Sequence, residues 1–148
     1  MKPFKILDIS GDIGLRSFGK TVQEAFVNAA IGMYSLITDT GKIEEKKSIA
    51  ISLENDSLDN LLVAWLNELV FHFDAYGFIG KKILITESNL LSVQSTNSTS
   101  YQIEAVLSGE DFDPERHESR LLIKAATYHR LRIRKSNDVW KIDIIFDI

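Results

Sequence analysis

Leu58, Leu61, Leu62, Trp65, Leu66, Leu69 and Val70 recur at i, i+3, i+4, i+7, i+8, i+11 and i+12 after Asp56-Ser57. That spacing lines one helix face and predicts an amphipathic helix ending near Tyr76-Gly77. An earlier helix is predicted from Thr21 to Ile37: Thr21 and Glu24 have capping-box spacing, and Val22, Ala25, Phe26, Ala29, Met33 and Ile37 follow at helical intervals. Elsewhere the period falls to two. Residues 4–9 predict an opening strand with a turn or bulge around Gly11 and Gly14, and Lys42 to Leu53 a strand with a polar face, after the stop at Asp39-Thr40-Gly41. Lys82 to Glu87 and Gln102 to Leu107 predict strands flanking the polar stretch Ser88 to Ser100, which reads as a loop or weak hairpin.

The longest alternation runs from Leu121 to Ile133. Leu121, Ile123, Ala125, Thr127, Leu131 and Ile133 fall on one side, Lys124, Tyr128, Arg130, Arg132 and Arg134 on the other. A strand of that length would extend about 40 Å, which predicts a bend or bulge near Thr127-Tyr128-His129. Ser136-Asn137-Asp138 is turn chemistry, closing a hairpin with a last strand from Val139 to Ile148, in which Trp140, Ile142, Ile144, Phe146 and Ile148 share a face. Two helices and about six or seven strands, mostly hairpin-linked, predict a single α+β domain over residues 1–148, two-layered with a mostly antiparallel sheet.

Composition narrows the function classes. With 148 residues, 45% hydrophobic and 26% charged, the chain is suited to one folded core and is unlike a disordered sequence. A formal net charge of −4 argues against capture of nucleic acid by the whole surface, so any RNA contact is expected to be local. Without cysteine there are no disulfides and no thiolate metal sites. No apolar run approaches the roughly 20 residues that span a bilayer, and Met1-Lys2-Pro3-Phe4 does not open a secretory signal. The expectation is a cytoplasmic protein with no membrane partner.

Candidate chemistry concentrates at the two extremities. Phe146-Asp147-Ile148 places a side-chain carboxylate beside the α-carboxylate of Ile148, and Asp12 sits in a permissive Gly11-Asp12-Ile13-Gly14 segment. If the first and last strands pair, three acidic groups converge, and a divalent cation relieves their repulsion. All three are hard oxygen donors, suited to Ca²⁺ or Mg²⁺ and not to zinc or copper. The same residues also admit a plainer reading, two surface aspartates solvating a loop and a terminus.

Several segments carry a resemblance. They are Asp8-Ile9-Ser10-Gly11-Asp12, Gly19-Lys20-Thr21-Val22-Gln23-Glu24-Ala25-Phe26, Thr38-Asp39-Thr40-Gly41 and Leu61-Leu62-Val63-Ala64-Trp65-Leu66. Later come Gly109-Glu110, His117, Ile123-Lys124-Ala125-Ala126-Thr127-Tyr128-His129 and the final Asp147-Ile148. In this order they resemble archease, a small accessory protein of the tRNA-splicing RNA ligase that joins 3′-phosphate and 5′-hydroxyl ends. The resemblance implies a non-enzymatic activator of the ligase's guanylylation, with GTP entering only through the ligase. It also implies a divalent metal, Ca²⁺ first and Mg²⁺ second, held by Asp12, Asp147 and Ile148. One departure stands out: the family's motif histidine is Ile9 here, a side chain that neither ligates metal nor moves a proton.

Arg116, Arg120, Lys124, Arg130, Arg132, Arg134 and Lys135 form one locally basic region. Lys124, Arg130 and Arg132 are its candidates for contact with RNA phosphates or a protein partner, and a solvated strand face explains the same charges. His117 and His129 invite a catalytic reading, but no nucleophile elbow, His-Glu-x-x-His motif or phosphate-binding Gly-rich loop accompanies them; His129 is expected on the apolar face and His72 as a half-buried packing residue. The competing enzymatic hypothesis is a metal-dependent phosphoesterase acting on nucleic acid through Asp12 and Asp147.

Overall fold

The computed structural model describes residues 1–91 and 100–148. Its strands are β1 (Phe4–Ile9), β2 (Asp12–Gly19), β3 (Lys47–Asn55), β4 (Phe78–Asn89), β5 (Tyr101–Asp111), β6 (Ala125–Ala126), β7 (Arg132–Ser136) and β8 (Val139–Asp147). The helices are α1 (Val22–Ile37) and α2 (Leu58–Tyr76). The fold is α+β as expected, but among the described residues there are eight strands in two antiparallel sheets, one of five strands in the order β1-β2-β8-β6 with β7 also on β8, the other β3-β5-β4.

Both helices begin where the capping chemistry places them. Thr21 accepts from the Glu24 amide at 3.1 Å and Ser57 from the Asn60 amide at 3.0 Å, and Gly77 closes α2 in the left-handed conformation. The predicted stripe of α2 is the core: Leu61, Leu62, Trp65, Leu66 and Leu69 are fully buried. Trp65 Nε1 donates to the Phe26 carbonyl at 3.0 Å, locking α2 to α1 and satisfying the indole inside the core. Each helix touches both sheets: α1 packs on β2, β8 and β4, and α2 on β3, β4, β5 and β6.

Two tight turns shape the five-stranded sheet. Ser10 (φ 47°) and Gly11 (φ 89°) connect β1 to β2, so the predicted turn inside the opening segment is a complete hairpin. Asn137 (φ 53°) and Asp138 (φ 62°) connect β7 to β8 as the turn chemistry predicted. The first of the smaller sheet's strands starts at Lys47, five residues later than expected, because Thr40–Lys42 form a short 3-10 turn.

The long strand predicted over Leu121 to Ile133 does not form. Arg120 and Leu121 amides donate to Ile37 and Leu36 carbonyls at the end of α1, β6 is two residues long, and Arg130 takes a left-handed φ of 55° before β7 begins. The expected bend near Thr127-Tyr128-His129 is a full break. β4 and β5 extend further than predicted, and residues 92–99 of the expected Ser88 to Ser100 loop lie outside the described residues. Among the described residues no helix is long and apolar enough to cross a membrane.

Candidate metal centre

β2 and β8 pair antiparallel with Ile13 opposite Phe146, so one step further along the same register Asp12 stands across from Asp147. The juxtaposition expected from the sequence is therefore present. Asp12, Asp147 and Ile148 line one concavity of about 370 Å³ together with Gly11, Ile13, Lys124 and Phe146. Two features of the chain put them there. The turn at Ser10-Gly11 delivers Asp12 to the first position of β2, and Gly14 lets β8 pass close, since a Cβ there would come within 2.6 Å of Ile145 Cδ1.

The third wall is β6. Its Ala125 pairs with Asp147, and the Lys124 amide donates to the Asp147 carbonyl at 2.8 Å. β6 is in turn held by α2: Ala126 N–H donates to Asn67 Oδ1 at 2.7 Å while Asn67 Nδ2 donates to the Ala126 carbonyl at 3.2 Å. Tyr128 reaches back to Asn60 Oδ1 at 2.8 Å. Asn60 and Asn67, two helical turns apart beside the apolar stripe, thus clamp the segment that carries Lys124. Sequence reasoning passed over this pair; its signal is the seven-residue spacing of two asparagines on the flank of an amphipathic helix.

Like charges opposite each other across paired strands repel. Among the described residues neither Asp12 nor Asp147 makes an ion pair, and both are exposed at the rim of the concavity. The donors present are all oxygen, which fits a hard, partly hydrated divalent cation. No group of three or more His, Cys, Asp or Glu side chains close enough to hold a metal occurs among the described residues. A cation here would take Asp12, Asp147 and the carboxylate at Ile148, with water completing its shell.

The other candidates lie elsewhere. Lys124 does join the acidic site, whereas Arg130 is exposed in the turn before β7 and Arg132 sits on β7 opposite Asp143. The regular row of outward arginines is broken accordingly. Arg134 is half-buried, 3.3 Å from Asp143 Oδ2, and Arg16 grips the same carboxylate with Nε at 2.6 Å and Nη2 at 3.0 Å. Burial pushes the Asp143 carboxyl up, but the Arg16 hydrogen bond and the two guanidinium charges outweigh it and hold its pKa below the usual range. This group was missed because its partners are 127 residues apart and meet through register alone.

His129 is exposed, not on an apolar face as expected, and its amide donates to Thr127 Oγ1 at 3.2 Å. His72 is half-buried, 3.2 Å from Glu68 and in edge contact with Phe71, which agrees with packing. His117 is buried: its Nδ1 accepts from the Asp113 amide at 2.8 Å, so Nε2 carries the proton toward Glu110 Oε2, 3.3 Å away and off the line of a good hydrogen bond. Glu110 also binds Arg116 and accepts from the Glu44 amide at 2.6 Å. The Arg116 hydrogen bond, helped by that amide and opposed by burial, lowers the Glu110 pKa to about 2. This imidazole is a structural group, closed off from solvent and from the acidic concavity's lining.

Comparison with known proteins follows the same lines. Residues 4–148 match the Archease protein family. Protein archease of Sulfurisphaera tokodaii is 31% identical over the whole of both chains, and Protein archease of Methanosarcina acetivorans is 35% identical over 99% of this chain and 97% of its own. The solution structure of Protein 1598 of Methanobacterium thermoautotrophicum superposes with a TM-score of 0.77 at 26% identity, covering all of both chains. The crystal structure of an archease, possible chaperone, from Thermotoga maritima shares the fold, with a TM-score of 0.57 at 17% identity over 97% of this chain and 96% of that one. The chain belongs to the archease family.

Proposed function

We propose that this protein is a non-enzymatic accessory factor that activates a tRNA-splicing RNA ligase joining 3′-phosphate and 5′-hydroxyl ends. It does so by binding a divalent cation, Ca²⁺ or Mg²⁺, at Asp12, Asp147 and the carboxylate at Ile148, and it promotes the ligase's guanylylation and turnover. Family membership supports the accessory role. The observation that carries the metal reading is the facing of Asp12 and Asp147 across β2 and β8, at the rim of one concavity, with no ion-pairing cation among the described residues.

The residues divide the work. Asp12 and Asp147 supply charge on a rigid sheet register, Ile148 supplies a third oxygen group, and the clamp from Asn67 holds the β6 backbone beside them. Bound there, the cation would neutralise the opposed carboxylates and be displayed at an exposed end of the sheet. Among the described residues the lining holds no serine, threonine, cysteine or histidine, and on this reading the protein's part is to hold and present charge. Ile9 pairs with Asp12 on β1 and offers no ligand, so metal binding here does without the family's motif histidine.

The test is ligase guanylylation with GTP in the presence of the native protein, of Asp147→Ala, and of a variant with one residue appended after Ile148. The native protein is expected to stimulate, and both variants to fall by about tenfold or more, a coupling of about 1.4 kcal/mol. Equal stimulation by all three would refute the terminal site. Metal-dependent cleavage of phosphodiesters by the protein alone would support the phosphoesterase reading instead.

A further inference from the structure

We propose that the outer face of the five-stranded sheet, carrying Lys5, Arg16, Lys141, Arg132 and Arg134 around Asp143, is a contact surface for the phosphate backbone of single-stranded RNA. The register assembles it. Lys5 pairs with Arg16, Arg16 with Asp143 and Asp143 with Arg132, giving one row across β1, β2, β8 and β7; Lys141 and Arg134 pair in the next row on the same side. Cross-strand partners share a face, and here it is the one turned away from the core, since the alternate residues Leu15, Ser17, Ile142 and Ile144 are the fully buried ones. The helices pack on that buried side.

Five cations to one anion make a local excess of positive charge on a chain whose formal net charge is −4. Asp143 does not cancel the patch so much as organise it, holding Arg16 through Nε and Nη2 and lying 3.3 Å from Arg134 Nη1. At about 4.8 Å between strands the first row extends about 14 Å, enough to follow a backbone past more than one phosphate. Half-buried Phe18, opposite Lys141, is the one large apolar side chain in these rows among the described residues, and none of the exposed ones stands there. A protein–protein interface builds on apolar and aromatic anchors, so this face fits a polyanion better than an acidic protein. Without an exposed aromatic for stacking, the contact is independent of base sequence.

The placement deepens the ligase reading and rests on it for one step. Asp143 precedes Asp147 by four residues on the same face of β8, about 14 Å. The cation row and the carboxylates thus share one face, with the carboxylates displaced along β8 to one side of the row. The face extends well beyond the sequence-derived candidates, of which Arg132 belongs to it and Lys124 and Arg130 do not.

Fluorescence anisotropy with the purified protein and a labelled oligouridine, in EDTA and without ligase, tests the surface independently of the metal site. A triple variant, Lys5→Glu, Arg132→Glu and Lys141→Glu, is expected to bind at least about tenfold more weakly than the native protein at low salt. Its dependence of log affinity on log salt should be shallower by about 0.7 for each phosphate that is no longer neutralised. Lys81→Glu with Lys82→Glu, on β4 of the other sheet, should stay within twofold. An unchanged melting temperature confirms that the triple variant folds. Native-like binding by a folded triple variant overturns the proposal, as does unchanged RNA binding combined with loss of ligase capture, which would assign the face to an acidic protein surface.

Discussion

Glu110 and the Asp12–Asp147 pair are both acidic sites on strand ends, yet the chain treats them in opposite ways. Glu110 is 3% exposed and meets Arg116, His117 and the Glu44 amide. Asp12 and Asp147 are exposed, opposed across a register and without an ion-pair partner among the described residues. A buried carboxylate that is fully furnished with donors serves the fold, because any change in it strands those donors. Exposed carboxylates set against each other are what the proposed cation site requires. Burial and partnering therefore separate Glu110, furnished for the fold, from the pair proposed to face a ligand.

The largest effect should come from breaking the furnished site. Glu110→Ala takes the acceptor from the Glu44 amide and the anion from beside Arg116 and His117, and is expected to cost about 1–3 kcal/mol in chemical denaturation. The same site sets a pH dependence. Because the folded Glu110 pKa is depressed from 4.5 to about 2, its stabilisation is complete above pH 4.5 and is lost as pH falls from there toward 2. Glu110→Gln should flatten that part of the stability profile; an unaltered acid limb would show that Glu110 is not the group responsible.

Adding metal probes the other side of the contrast. Ca²⁺ at about 100 times its dissociation constant should stabilise the native protein by about 2.7 kcal/mol, measured as a rise in Tm against an EDTA reference. Asp12→Asn should abolish the rise, whereas Glu110→Gln should keep it from a lower starting Tm. If both variants responded alike, the two acidic sites would not differ in kind.

How much of this was legible beforehand follows the same physics. The stripe of α2 and the turn at Asn137-Asp138 were readable because local spacing and local dihedral preference determine them. The alternation from Leu121 to Ile133 misled because burial can alternate without a strand. Ile123 is buried and its neighbours Leu122 and Lys124 are exposed, yet this stretch is anchored by amides at 120 and 121 on the last carbonyls of α1. Asp12 and Asp147 were singled out by charge at the extremities and by family resemblance. Arg16, Asp143 and Asn67 act through register and helix-to-strand contacts, which no local pattern encodes.

The smallest effect has the most diagnostic sign. In EDTA, Asp147→Asn removes one of two like charges standing opposite each other on β2 and β8 while leaving the strand pairing intact. Relief of that repulsion should raise stability by about 0.2–0.5 kcal/mol, reduced at high salt as exposed charges are screened. An acid kept for the fold loses stability when neutralised; an acid kept for a ligand gains it until the ligand is added, when the order reverses. Urea denaturation of the native protein and of Asp147→Asn, with and without Ca²⁺, should therefore give two pairs of curves that cross in rank, and a variant less stable in both conditions would move Asp147 into the same class as Glu110.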